Sequence, residues 1–242
     1  KIHFPETQQF FRIDNDDSFI NMGMFWQVPD MHAFHSIVPV SIMNYYEYIG
    51  DKRDVNSKMD YKRYASRSLF SVKYFCDRID YRSDIFGDTT AENPDTKMPG
   101  YKYLYDMAGF AVWENENYIP MGFTYDTYML QSTADKISKS NRDKLMLKAL
   151  ILSDEQAEKY GGLIQEVGRD TGFSYTESAY VEDCAARASE SADDFSYDNT
   201  GFTAHITLSK DNLVFFSVPY EEGWTAEVNG VPVDVEKVQI GF

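Results

Sequence analysis

The chain has 242 residues, 43% of them hydrophobic and 16% aromatic, which is enough to bury a core as one large domain or two small ones. Lys and Arg number 23 against 39 Asp and Glu, giving a net charge of −16 that argues against nucleic acid as a partner, because such a surface repels phosphates. The longest apolar stretches, at residues 145–152 and 213–220, fall well short of the ~20 residues that a membrane-spanning helix needs.

The first 135 residues predict a β-rich subdomain. Short aromatic runs there alternate with Asn, Asp, Gly and Pro, which is typical of short strands and irregular connections. The predicted strands lie near Gln9–Ile13, Leu69–Cys76, Gly109–Trp113 and Ile119–Tyr125. Residues 114–117 are predicted to form a hairpin turn between the last two.

Residues 136–242 predict a second subdomain that begins with a helical pair. Residues 141–152 combine leucines with good helix formers, and Ser153 with Gln156 fits a capping box for a second helix that ends at residues 161–162. The acidic, Ser- and Ala-rich residues 178–198 are compatible with either a surface helix or a long loop.

The C-terminal region predicts an antiparallel sheet. Residues 202–209 and 214–220 alternate apolar and polar side chains, the period of half-buried strands, and Asn229-Gly230 is a strong hairpin signal. The fold class is therefore α+β, with β-rich regions at both ends and the helical pair between them. The missing initiator Met and the apolar final residues indicate a piece of a longer protein, truncated at its C-terminus.

The usual metal, cofactor and nucleophile motifs are absent from the sequence. Residues 14–18 resemble the start of a calcium loop, but Phe19 and Phe25 stand where Gly and Glu are needed, so an Asx-rich turn at a strand end is expected. Cys76 and Cys184 lack zinc or redox spacing, which leaves buried free thiols or one long-range disulfide. We expect no cofactor and no metal, and the catalytic residues are unknown.

Residues 21–36 form an unusual segment in which aromatic rings alternate with amides and two histidines. Aromatic faces stack on sugar rings, while imidazole and hydroxyl groups hydrogen-bond sugar hydroxyls. The segment therefore predicts glycan contact through Trp26, His32, His35 and Ser36. In the alternative, the aromatic residues simply anchor the loop on the core. His32 and His35 lack a third metal ligand at diagnostic spacing.

The run from Asn212 to Gly230, with its Pro-Tyr-Glu-Glu-Gly-Trp centre, closely resembles the signature of the YfhO-like family of bacterial membrane proteins. Weaker blocks follow the family order earlier in the chain. They are Phe11–Asp14, Phe34–Ser36, Val72–Tyr74, Glu114–Asn117 with Pro120–Phe123, and Leu152–Gln156.

The resemblance implies a many-helix membrane protein whose C-terminal part lies on the extracytoplasmic face of the bacterial cell membrane. It also implies a role in glycosylating envelope polymers such as teichoic acid, because the family resembles membrane glycosyltransferases that use polyprenyl-phosphate sugars. The catalytic carboxylate of such enzymes sits in an early external loop, so no catalytic residue carries over to this chain. Tyr220 and Trp224 become further candidates for glycan contact, with packing across the sheet as their alternative role.

Three functions follow from these observations. In the first, the chain supports an envelope glycosyltransferase whose chemistry lies in its membrane part. In the second, it is a non-catalytic scaffold that binds a glycan or a protein. In the third, it is a free-standing hydrolase, which the missing nucleophile motif argues against. The expected partners are its own transmembrane region and an envelope polymer or lipid-linked sugar.

Overall fold

A computed structural model describes residues 2–16, 21–34, 36–55, 58–81, 85–91, 96–168 and 173–242. These residues form a mixed α+β structure with several small sheets, which confirms the predicted fold class. The strands are β1 (Arg12–Asp16), β2 (Val72–Arg78), β3 (Tyr101–Met107), β4 (Phe110–Asn115), β5 (Phe123–Thr124), β6 (Thr127–Leu130), β7 (Leu150–Leu152), β8 (Gln165–Glu166), β9 (Asp194–Tyr197), β10 (Phe202–His205), β11 (Val214–Phe215), β12 (Ala226–Val228) and β13 (Val231–Val233). The helices are α1 (Met22–Trp26), α2 (Val40–Ile49), α3 (Tyr64–Leu69), α4 (Gln131–Ala134), α5 (Arg142–Lys148), α6 (Asp154–Tyr160) and α7 (Glu177–Ser189). None of the helices in these ranges has the length and apolar character required to cross a bilayer.

The largest sheet has the strand order β1-β2-β4-β3 and contains one parallel pair, β1 with β2. Strands β3 and β4 form a hairpin that turns at Ala108-Gly109. The hairpin predicted at residues 114–117 is therefore wrong. Strand β4 continues to Asn115, and the next strand, β5, pairs with β11 in a different sheet.

Helices α5 and α6 form the predicted helical pair in the middle of the chain. The Ser153 side chain accepts a hydrogen bond from the Gln156 N–H, and the Gln156 side chain returns to the Ser153 N–H, which completes the capping box. Helix α5 ends at Lys148, earlier than the sequence predicts. The residues that follow form β7, because its three apolar side chains are buried in parallel pairing with β6.

The C-terminal strands pair antiparallel, as the sequence predicts, but as short separate pairs. Strands β12 and β13 meet across Asn229-Gly230, whose φ angles of 53° and 79° give the two-residue turn that the dipeptide favours. Strand β10 pairs with β9. The undecided residues 178–198 divide between helix α7 and strand β9.

The main hydrophobic core draws on both sides of the subdomain boundary predicted after residue 135, and that division stays a prediction. The fully buried Gln239 ties the two sides together. Its Nε2 donates to Tyr125 Oη at 3.0 Å and to the Met146 carbonyl at 2.8 Å, and its Oε1 accepts from the Ile151 N–H. Both cysteines are buried and unpaired.

Replacing Gln239 by Ala should lower the free energy of unfolding by about 1–3 kcal/mol, because the Ile151 N–H and the Met146 carbonyl lose a buried partner. Urea denaturation of Gln239→Ala measures this, with the exposed Gln165→Ala as the matched control. Equal unfolding midpoints for the two variants would contradict the role given to Gln239.

Candidate functional site

A cleft of about 520 Å³ opens beside the carboxyl end of β1, next to its parallel partner β2. The connection between α2 and α3 forms the other wall of this cleft. Polar side chains from both walls line it together with one tyrosine ring. They include Asp14, Asn15, Asp51, Asp60, Tyr61 and Arg67.

The floor of the cleft is held by a buried ion pair between Arg67 and Asp14. The Arg67 Nε lies 2.8 Å from Asp14 Oδ2, and the two side chains are almost fully buried. The other guanidinium nitrogens donate to the backbone carbonyls of Met59 and Asp60, each at 2.8 Å. The buried guanidinium is therefore bonded at all three nitrogens, which is what makes its burial tolerable.

The second carboxylate of the cleft, Asp51, is also paired with an arginine. Arg63 Nε donates to Asp51 Oδ1 at 2.9 Å, and Arg63 Nη1 reaches the buried Asp143 at 3.3 Å. Burial acts to lower the pKa of Arg63, but its hydrogen bond and charge contacts with Asp51 and Asp143 outweigh burial and raise it. Asp51 thus faces a permanent cation.

The cleft does not share the strong negative charge of the whole chain. Among the described residues, its lining holds three carboxylates against three cations, whereas the chain carries −16. The carboxylates are Asp14, Asp51 and Asp60, and the cations are Lys52, Lys58 and Arg67. An uncharged polar ligand can therefore enter without net repulsion.

Behind the cleft, Asn15 links Asp30 to His32. The Asn15 Nδ2 donates to both carboxylate oxygens of Asp30, at 2.9 and 3.1 Å, and the Asn15 Oδ1 lies 3.0 Å from His32 Nδ1. The Gly23 N–H donates to Asp30 as well, and a Cβ on Gly23 would lie 2.4 Å from that of Asp30. Only glycine permits this approach of helix α1 to the carboxylate.

Burial raises the pKa of Asp30 to about 7. The backbone N–H of His32 lowers the pKa, the nearby Asp14 charge raises it, and the Gly23 and Asn15 donors lower it, so burial prevails over the hydrogen bonds. Asp30 can therefore be neutral or ionised near neutral pH. In the described ranges no three His, Cys, Asp or Glu side chains are grouped so that they could hold a metal ion.

The three described candidates from residues 21–36, Trp26, His32 and Ser36, do not meet at one surface. The Trp26 ring is buried and packs edge-on against Phe110 with ring centres 5.1 Å apart, as the core-anchor alternative requires. His32 is buried, and its Nδ1 lies 3.0 Å from Oδ1 of the cleft residue Asn15. Ser36 is exposed, and His35 lies outside the described residues. Trp26 therefore offers no exposed face for stacking on a sugar.

Trp224 lies beside an aromatic surface that β9 and β10 form, whereas the Tyr220 N–H donates to the Gly241 carbonyl at 2.9 Å. Trp224 is 37% exposed, and its ring centre lies 5.7 Å from that of Phe202. Tyr220 is half-buried. The Phe202 ring in turn contacts Phe195 and Phe216. Trp224 thus has both a packing partner and an accessible face, and its role in glycan contact stays a prediction.

A comparison with protein families matches nearly the whole chain. The model of the family described as bacterial membrane protein YfhO matches residues 2–175 and 173–242. The chain belongs to the YfhO family. This membership associates the YfhO chain with a membrane. No curated protein and no solved structure matches it significantly.

Sequence reasoning on this YfhO chain missed the residues that build the cleft. It placed Asp14 in an Asx-rich turn, but residues 14–16 lie within β1, where Asp14 is buried. A carboxylate in a buried strand needs a cationic partner. Assigning Asp14 to a buried strand would therefore have predicted that a cation lies beside it. The partner, Arg67, is 53 residues away, and no local pattern identifies it.

Replacing Trp26 by Ala in the YfhO chain should cost about 3–5 kcal/mol of folding stability, because it removes a buried indole from the core. A thermal melt tests this, with Trp224→Ala as the matched control at a partly exposed indole. An unchanged melting temperature for Trp26→Ala would show that the ring is not a core anchor.

Replacing Asp30 by Asn should flatten the pH dependence of stability between about pH 4 and 7. The folded state keeps a proton on Asp30 up to about pH 7, whereas the unfolded chain releases it near pH 4. Stability contributed by this proton is therefore full below pH 4 and is lost as the pH rises through 7. Urea midpoints from pH 4 to 8 measure the slope, with the exposed Asp211→Asn as control. An unchanged slope in Asp30→Asn would contradict the raised pKa.

Proposed function

We propose that this chain is the extracytoplasmic domain of a membrane protein that takes part in glycosylation of cell-envelope polymers such as teichoic acid. In this proposal the domain binds the sugar-bearing ligand in the β1-edge cleft, and the transfer chemistry lies in the membrane part of the parent protein. Membership of a bacterial membrane protein family supports the setting. The proposed binding role rests on the set of side chains that line the cleft.

The cleft combines the groups by which proteins usually bind sugars. Sugar hydroxyls donate and accept hydrogen bonds, so a site lined by carboxylates, an amide, ammonium groups and a guanidinium can satisfy both roles. The half-buried Tyr61 ring, with the ammonium groups of Lys62 and Lys97 5.6 and 5.7 Å from its centre, adds an aromatic surface. The balance of charge at the site suits a neutral sugar unit better than a phosphate-rich polymer backbone.

The pairing of the cleft carboxylates favours binding over catalysis. A catalytic carboxyl in glycosyl chemistry must be free to exchange a proton or to attack the sugar. Asp14 and Asp51 are instead each held in an ion pair with an arginine at 2.8–2.9 Å. This observation equally supports the second candidate function, a non-catalytic scaffold that binds a glycan or a protein.

Replacing Tyr61 by Ala should weaken binding of a glycosylated glycerol-phosphate oligomer about tenfold, because the ligand loses one stacking face. Calorimetric titration measures this, and the unglycosylated oligomer should bind weakly to every variant. Trp224→Ala is the matched control, since its ring lies on the other aromatic surface. Loss of binding in Trp224→Ala alone would move the site to that surface.

The same variants separate the two functions in the full-length protein. If the domain serves polymer glycosylation, Tyr61→Ala should reduce the sugar content of the polymer in cells by a similar factor. A scaffold role predicts lost glycan binding with an unchanged sugar content. If no saturable binding of the glycosylated oligomer occurs, the cleft proposal is wrong.

A further inference from the structure

Residues 21–46 stand out for their lack of charge. In a chain that is 26% charged, a stretch of this length should hold about seven Asp, Glu, Lys or Arg residues, yet it holds Asp30 alone. Asp30 is turned toward Asn15 and Gly23, where its carboxylate accepts hydrogen bonds. The outer face of the segment therefore carries no acidic or basic side chain in its described part, 21–34 and 36–46.

Large apolar side chains occupy that outer face instead. Ile37 is 89% exposed, and Met24 and Phe25 are each 76% exposed. We call the six exposed apolar residues of this segment the apolar patch. They are Met24, Phe25, Phe34, Ile37, Val40 and Met43.

The apolar patch is built on well-anchored backbone. The Gly23 contact presses helix α1 against Asp30, while Trp26 fills the core, so Met24 and Phe25 are left to project outward. The Phe34 N–H donates to Asn21 Oδ1 at 2.7 Å, which holds Phe34 beside the start of α1.

Helix α2 supports the other end of the apolar patch. Its Tyr45, Tyr46 and Ile49 are buried in the core, whereas Val40 and Met43 remain exposed. The helix is thereby fixed with these two apolar side chains on its outer side.

The geometry points to a membrane-facing surface, in which the apolar patch inserts into the boundary between lipid headgroups and acyl chains. The apolar patch joins large exposed apolar side chains to a segment almost without charge, and such a surface suits the boundary between headgroups and acyl chains. The six residues of the patch carry no charge, and the first acidic side chain on their face of helix α2, Glu47, lies one turn beyond Met43. Membership of a membrane protein family places a bilayer within reach of this chain.

A second exposed apolar surface of the chain has charged neighbours. On the β12–β13 hairpin, Val228 and Val231 are also exposed, at 57% and 62%. Charged residues surround them, including Glu227 and Asp234. Insertion of this hairpin would desolvate those carboxylates, so it serves as the control surface. The inference goes beyond glycan binding, since it requires no sugar.

The test uses co-sedimentation with phosphatidylcholine vesicles and with equimolar phosphatidylcholine and phosphatidylglycerol vesicles. The unchanged chain should bind phosphatidylcholine vesicles, and Met24→Ser/Phe25→Ser should lower its partition coefficient about tenfold. Val228→Ser/Val231→Ser should leave the partition coefficient unchanged. Phosphatidylglycerol should weaken binding, because the net charge of −16 repels anionic headgroups.

A second readout reports insertion directly. Phe25→Trp should be quenched by brominated acyl chains more strongly than the unchanged chain, whose Trp26 and Trp113 are buried and whose partly exposed Trp224 packs against Phe202. Three results would overturn the inference: no vesicle binding, equal loss of binding in the hairpin control, or a lipid-free dimer that Met24→Ser/Phe25→Ser dissociates. The last would show that a second copy covers the patch. Since the glycan titration contains no lipid, either proposal can fail without the other.

Discussion

The structure around the cleft depends on the need to neutralise one buried guanidinium. Arg67 on α3 is almost fully enclosed, and its three nitrogens bond to β1 through Asp14 and to the cleft wall through the carbonyls of Met59 and Asp60. A buried charge that loses its partner destabilises a fold by about 3–5 kcal/mol. The same contacts therefore fix the strand, the helix and the loop relative to each other, and the space left between them is the cleft.

A second layer of structure follows from the path of β1. Its Ile13 N–H donates to the Pro29 carbonyl, and its Ile13 carbonyl accepts from the Met31 N–H, so residues 29–31 run beside the strand. This arrangement brings Asp30 and His32 to Asn15. Within residues 21–46, Asp30 and His32 thus face the back of the cleft, whereas Met24 and Phe25 remain exposed.

Local signals in the sequence predicted local structure well. The Asn229-Gly230 turn and the Ser153 capping box are confirmed because each depends on a few adjacent residues. Long-range pairings were not accessible in this way. The sequence predicts a strand at Gly109–Trp113, but not that β4 pairs with β2 and β3 instead of with β5. The cleft was missed for the same reason, since Asp14 and Arg67 have no shared local pattern. Trp26 could not be assigned to core or surface from composition alone.

The packing of Phe242 has a consequence for how the protein is made. Its ring contacts Tyr45 and Phe70, with ring centres 5.2 and 5.1 Å apart. During synthesis, Tyr45 and Phe70 cannot complete this packing until Phe242, 172 positions beyond Phe70, has been added to the chain. Synthesis of these residues takes roughly 10–30 s at typical elongation rates. Folding that proceeds from the N-terminus during synthesis cannot complete such a core, because its contacts join residues far apart in the sequence. The nascent chain therefore exposes aromatic surface for seconds, and a holdase or an export channel that keeps it unfolded would protect it from aggregation.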